Sequence, residues 1–216
     1  MVQVNMQSNI LGANELLARK NRSLFGGNKV LALNLMSSPG SGKTTILERT
    51  IETLGDKLKI GVIEGDLYTD QDAQRIEKKG VRVVQINTEG TCHLDAGMVG
   101  KAYDTLADAE LDLVFIENVG NLVCPAEFDL GEAHKVVILS VTEGEDKPLK
   151  YPNMFAASDL MLLTKTDLLP HLSFDTAKCI EYARRINPKI QVLQVSAKSG
   201  EGMDEWLAWL ERGVAG

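Results

Sequence analysis

Nine residues constrain this chain more than any others. Ser37-Ser38-Pro39-Gly40-Ser41-Gly42-Lys43-Thr44-Thr45 follow a strongly apolar run and open a helical pattern. A glycine-rich turn that ends in Lys-Thr, with a strand before it and a helix after it, is the Walker A arrangement that cradles phosphate. Its glycines let the backbone aim N–H groups at a β-phosphate, and the helix N-terminus adds partial positive charge. Pro39, Gly40, Ser41, Gly42, Lys43, Thr44 and Thr45 are therefore the expected phosphate-binding residues. Lys43 should reach the β- and γ-phosphates, and the Thr44 hydroxyl should face Mg²⁺. Ser37 stands where the pattern has its first glycine, a small loss if the backbone there is ordinary.

Such a loop belongs to a parallel α/β sheet, and the rest of the chain agrees. Apolar runs at 29–36, 60–63, 81–86, 111–116, 135–141, 160–163 and 190–195 read as strands. The runs at 111–116 and 135–141 are almost unbroken, as strands buried on both faces should be. Helical patterns fall at 44–54, 70–79, 94–106, 175–186 and 202–212. A further amphipathic helix is expected at 14–24, with Leu16, Leu17 and Leu24 toward one side and Gly26-Gly27 ending it. The expected fold is a three-layer α/β P-loop domain, mostly parallel, with helices on both faces. Residues 1–27 would be a helical segment packing on the core, and 28–216 the nucleotide-binding domain with inserted metal-binding loops. Order should be weakest in the first few residues, after Glu211, and at 142–152.

Composition enters as a set of exclusions. At 216 residues, 44% hydrophobic and 25% charged, the chain is an ordinary soluble domain that needs no disulfide to fold. Its net charge of −7 argues against a bulk electrostatic grip on nucleic acid. No apolar run approaches the roughly 18 residues a membrane span requires, and the start lacks a signal-peptide pattern. Three cysteines, odd and sparse, fit a reducing compartment, so a cytoplasmic location is expected.

Two strand ends offer carboxylates for Mg²⁺. Ile63-Glu64-Gly65-Asp66 closes one strand, and Phe115-Ile116-Glu117-Asn118-Val119-Gly120 closes another. Gly120 follows Glu117 by three residues, the spacing of a switch loop whose glycine N–H senses a γ-phosphate. Lys43, Glu117 and Asp66 are thus the expected catalytic groups, with Thr44, Asp66 and Glu117 around Mg²⁺. Asp70 and Asp72 read instead as acids favoured in a first helical turn.

Thr164-Lys165-Thr166-Asp167 resembles the N-K-x-D motif of GTPases, with Thr164 replacing Asn. A carboxylate at Asp167 accepts two N–H bonds from guanine, and adenine offers neither in that geometry. The Lys165 stem would lie over the base. Ser196-Ala197-Lys198 matches the segment whose backbone contacts guanine. Thr164 would weaken the tether between this strand end and the phosphate loop while leaving the guanine contact intact. GTP and GDP are therefore the expected nucleotides.

Cys92-His93 and Cys124 lie in loops after strand ends, on the nucleotide edge of the sheet. Thiolate and imidazole suit Zn²⁺, and also Ni²⁺ or Cu. Three protein ligands leave a four-coordinate ion short, and a symmetric dimer would supply more. Cys179, inside a helix, reads as packing, and His134 and His171 show no comparable grouping.

Together, 36–45, Glu117 to Gly120 running into Cys124-Pro125, Cys92-His93-Leu94-Asp95, and Thr164 to Asp167 resemble the HypB family, the GTPases that help insert nickel into [NiFe] hydrogenase. The resemblance extends from about residue 28 to 209. It implies a nucleotide-dependent dimer with Ni²⁺ or Zn²⁺ on Cys92, His93 and Cys124 at the interface. It also implies a HypA-type nickel-binding partner and the hydrogenase large-subunit precursor as client. GTP hydrolysis should be slow, because the switch segments hold no obvious catalytic Gln or Arg. In such dimers a partner lysine can approach the guanine, which makes Lys150 the first candidate and Lys147 the second. The related urease GTPase UreG carries Cys-Pro-His, where this chain has Cys-His and a later Cys-Pro. The chain shows neither the Cys-x-x-Cys-Gly-Cys site nor the His-rich stretch of some HypB members.

Three other readings compete. A small-molecule kinase would leave the guanine motifs and cysteines unexplained. A metal-independent regulatory GTPase would leave metal binding indifferent to loss of Cys92 and Cys124. A urease-type GTPase would differ in its maturation partner.

Overall fold

The computed structural model describes residues 6–67, 70–106 and 110–216. The expected weak order of the first few residues therefore falls on 1–5, outside the described residues. Every apolar run becomes a strand: β1 Leu31–Ser37, β2 Ile60–Asp66, β3 Arg82–Asn87, β4 Leu113–Glu117, β5 His134–Ser140, β6 Leu160–Thr164 and β7 Gln191–Val195. They form one sheet in the order β3-β2-β4-β1-β5-β6-β7, with every neighbouring pair parallel. Parallel strands need crossovers, supplied mostly by helices: α2 Lys43–Leu54, α3 Gln71–Glu77, α4 Ala96–Leu106 and α7 Thr176–Ile186. α1 Met6–Gly27 precedes the sheet and α8 Met203–Ala215 follows it.

The period of two along β1 explains the layers. Leu31, Leu33 and Leu35 point to a core shared with Ile46, Leu47 and Ile51 of α2 and Trp206 and Leu210 of α8. Ala32 points to the opposite core, with Phe25 of α1 and Val99, Ala102 and Tyr103 of α4. A third cluster joins Met36, Val137 and Leu139 to Cys179 and Ala183 of α7. Trp206 is fully buried, donates Nε1–H to Thr50 Oγ1 at 2.9 Å, and stacks on Trp209 at 5.6 Å between ring centroids.

Three expectations about elements need correction. α1 begins eight residues earlier than expected, and its inward face is not leucine. Leu16 and Leu17 are exposed, while Asn14, Ala18, Asn21 and Phe25 are buried. The two asparagines bond across to the domain. Asn14 donates to Asp129 O and accepts from Ala96 N, and Asn21 donates to Ala96 O and Leu130 O. Leu24 does pack partly against this core. Segment 142–152 is not loose: it holds the short helix α5 Lys147–Lys150 and leads straight into α6 Pro152–Ala156, each with proline in its first turn. Proline there loses no helical N–H bond, which favours such a start. α8 also continues past Glu211 to Ala215. Among the described residues no helix is long and apolar enough to cross a membrane.

Candidate nucleotide and metal site

All strands being parallel, their C-terminal ends share one rim, where α/β sheets bind ligands. β1 delivers the phosphate loop there. Gly42 sits at φ 99, a backbone only glycine adopts freely, and caps α2. Ser37 has no positive φ, and its hydroxyl accepts from Lys43 Nζ at 2.8 Å. Thr164 keeps a tether to the phosphate loop: its hydroxyl donates to Ser41 O at 2.7 Å. Lys165 Nζ donates to Gly40 O at 2.6 Å.

Two clefts adjoin at Gly42, Thr45 and Lys165. The larger, about 420 Å³, runs over Pro39, Gly40, Lys43 and Thr44 to Glu64, Asp66, Glu117 and Gly120. The smaller, about 260 Å³, is bounded by Thr164, Asp167, Ser196, Ala197 and Lys198. Ser196 Oγ donates to Asp167 Oδ1 at 2.7 Å and holds that carboxylate at the cleft wall. The sequence-chosen phosphate and base residues thus line a single continuous groove, except Ser41. Its side chain turns to Glu143 Oε1 at 2.7 Å, and its backbone stays in the loop.

The carboxylates expected near Mg²⁺ do converge, and they bring one that sequence reasoning missed. Thr44 Oγ1 donates to Glu117 Oε1 at 2.9 Å. Glu64 of β2 lies in register with Glu117 of β4, and both are buried. Glu64 Oε2 and Glu117 Oε2 have no hydrogen-bond partner among the described residues. Burial, then the charges of Glu117 and Asp66, push the Glu64 carboxyl up to about 8. Burial likewise raises Glu117, against the pull of Lys43 and the Thr44 hydroxyl. Two buried acids with unsatisfied oxygens, beside a Thr hydroxyl, are chemically fitted to a hard divalent cation. The signal for Glu64 was the shared Ile-Glu at both strand ends, which becomes a pair only through strand register. Asp72 and Arg75 of α3 also line this cleft, and Arg75 is held by Glu48 at 2.7 Å and Asp72 at 2.9 Å.

Cys92, His93 and Cys124 come together from two loops, with ligand atoms within 4.8 Å of one another. Cys92 Sγ contacts Cys124 Sγ at 2.9 Å and stands 4.0 Å from His93 Nδ1. His93 stacks on Phe128 with centroids 3.9 Å apart. Burial lowers the imidazole below its ordinary 6.5, against Asp95 and Glu127, and so favours the neutral ring that binds metal. The Cys92 contact, then burial, raises the Cys124 thiol, an effect that a bound cation would oppose. Cys179 is fully buried, and burial pushes its thiol up to about 12. Lys150 pairs with Asp146 at 2.7 Å, and Lys147 lies 5.3 Å from the Tyr151 ring centroid.

A parallel sheet with a Walker A loop at its rim defines a P-loop nucleotide-binding protein, and beside that loop lies a Cys-His-Cys cluster of the donor types that suit a soft metal. Residues 31–194 match the CobW/HypB/UreG nucleotide-binding domain. The chain is 64% identical over 209 residues to the hydrogenase maturation factor HypB of Azotobacter chroococcum, covering 97% of this chain and 68% of that protein. The solved structure of HypB from Archaeoglobus fulgidus superposes with a TM-score of 0.88 at 39% identity, over 94% of this chain and 100% of that one. HypB from Helicobacter pylori in complex with nickel gives 0.89 at 39% identity, over 94% and 95%. The chain belongs to the CobW/HypB/UreG family and, within it, to the HypB hydrogenase maturation factors.

Proposed function

We propose that this chain binds GTP, hydrolyses it slowly to GDP and phosphate, and uses the nucleotide state to control a Ni²⁺ or Zn²⁺ ion carried toward [NiFe] hydrogenase. One observation carries the reading: Glu117, Gly120 and Cys124 lie on one segment, which joins the cation-facing end of β4 to the cysteine cluster. The nickel complex of the Helicobacter pylori relative supports the choice of ion.

In this reading Thr44, Glu117 and Asp66 hold Mg²⁺, with Glu64 beside them. Bound there, the ion would neutralise charge on the β- and γ-phosphate oxygens. Lys43 holds those oxygens, and Gly120 N–H meets the γ-phosphate. Asp167 accepts from the guanine edge, Lys165 covers the base, and Ser196 keeps Asp167 aimed. Hydrolysis is slow because Arg75, the arginine in the wall of the phosphate-side cleft, is committed to Glu48 and Asp72. Cys92, His93 and Cys124 ligate the transported ion, and a second copy of the chain completes its shell. Lys150 or Lys147 of one copy then approaches the guanine of the other. A HypA-type nickel-binding protein and the hydrogenase large-subunit precursor are the partners on either side of the transfer.

The test is Ni²⁺ titration of the chain with GDP and with a non-hydrolysable GTP analogue, beside a Cys92→Ala/Cys124→Ala control. Binding that needs both cysteines and changes at least about fivefold between nucleotides is expected. Equal affinity in the two states, or full binding without the cysteines, would overturn the reading.

A further inference from the structure

Between Glu117 and Val119 sits a residue that the proposed chemistry does not use. Asn118 is 1% exposed, yet its side chain makes three hydrogen bonds. Oδ1 accepts from Leu94 N at 3.1 Å and from Val119 N at 3.0 Å, and Nδ2 donates to Asn34 Oδ1 at 3.1 Å. Asn34 in turn donates to Glu132 Oε1 at 3.1 Å, and Glu132 Oε2 accepts from Leu130 N at 2.7 Å. One carboxamide thus joins the phosphate-sensing segment to both loops that carry the cysteines: 92–94 directly, and 124–132 through Asn34 and Glu132.

The geometry makes this link specific. Leu94 is fully buried and directly follows His93. Its side chain covers Gly65, between Glu64 and Asp66, where an added Cβ would fall 2.8 Å from Leu94 Cδ2. Gly120 presses on the phosphate loop, where an added Cβ would lie 3.0 Å from Pro39 N. Val119 N lies one peptide before Gly120 N, and it shares the Asn118 oxygen with Leu94 N, so a shift of the whole 118–120 segment toward a γ-phosphate acts on the same oxygen that holds Leu94. Cys124 lies four residues beyond Gly120 on the moving segment, whereas Cys92 and His93 hang from Leu94.

We propose that Asn118 is the positioning residue that transmits movement of the γ-phosphate-sensing segment to the metal ligands, through its hydrogen bond to the Leu94 amide. The inference rests on the GTP-controlled metal reading above and specifies the part through which control passes. Alanine at 118 would leave Thr44, Glu117, Cys92, His93 and Cys124 in place but uncouple the two loops.

The experiment measures Ni²⁺ affinity of the wild-type chain and of Asn118→Ala, by competition with a chromophoric chelator, in GDP and in the GTP analogue. Wild type is expected to show a ratio of at least about fivefold between the two states, and the variant a ratio within about twofold of one. The variant should keep cysteine-dependent binding and near wild-type GDP affinity. A purely structural role for Asn118 would lower stability and leave the ratio unchanged, which would overturn the proposal. A ratio of one in the wild type would overturn the parent reading as well, so the two failures are distinguishable. If Asn118→Ala does not fold, hydrogen exchange at the Leu94 amide of the wild type decides. Its rate should differ several-fold between GDP and the GTP analogue, and equal rates would overturn the proposal.

Discussion

Glu64 and Glu117 stand side by side, Glu64 near the end of β2 and Glu117 at the end of β4, each with a buried oxygen that nothing among the described residues satisfies. For Glu64 the consequence can be titrated. Its carboxyl releases a proton near 4.5 when exposed and near 8 in the folded chain. Between those values the folded state holds a proton that the unfolded state has lost, so the Glu64 contribution to stability falls as pH rises through that window. Metal-free protein in chelator should therefore lose melting temperature between about pH 5 and 8, and Glu64→Gln should lose less. Calorimetry across that range checks this, and parallel curves for the two proteins would refute it. The residues that sequence order exposes are those of local motifs: the phosphate loop, Thr164 to Asp167, Ser196 to Lys198. Glu64, Asn118 and Glu143 were not legible, because their roles arise from partners in other strands or distant loops. Asn118 finds Leu94 and Asn34, and Glu143 finds Ser41.

Element boundaries follow a similar logic. Helix α7 fell where its pattern placed it because its start is written locally. Asp175 Oδ1 accepts from Lys178 N at 2.9 Å, an N-cap bond. Asp175→Ala should cost about 1 kcal/mol, read by denaturant unfolding, and an unchanged midpoint would show that the cap contributes nothing. Helix α1 was misread because apolar spacing is silent about amides. Its inward face follows the helical repeat through Asn14, Ala18, Asn21 and Phe25, and hydrogen bonds do there what leucines were expected to do. Leu16, 69% exposed, is left on the outside. The segment 142–152 was misread as well. It was expected to be weakly ordered, but Pro148 and Pro152 each sit in a first helical turn, and Glu143 binds back to Ser140 N and Ser41 Oγ.

At the scale of the molecule, the unbroken apolar runs and the phosphate loop were enough to give a parallel sheet with helices on both faces. They could not give the strand order. β4 inserts between β1 and β2, and that insertion brings Glu117 beside both the phosphate loop and Glu64. In the proposed metal reading, Cys92, His93 and Cys124 would leave a four-coordinate ion short of a closed tetrahedral shell, which is the physical reason to expect pairing of two chains. Sedimentation of the protein with Ni²⁺ and a GTP analogue should show a shift from monomer toward dimer relative to the metal-free, GDP-bound sample. Identical profiles would remove the second copy from the proposed metal shell.

The two tryptophans of the chain are both in α8, stacked on each other, and one is hydrogen-bonded to α2. This gives the protein a built-in optical gauge. Its ultraviolet emission reports whether the last helix is seated on the helix that begins at the phosphate loop, without any attached dye. Because neither indole lines the nucleotide groove, that colour should change when the domain melts and stay nearly constant while ligands exchange at the opposite rim.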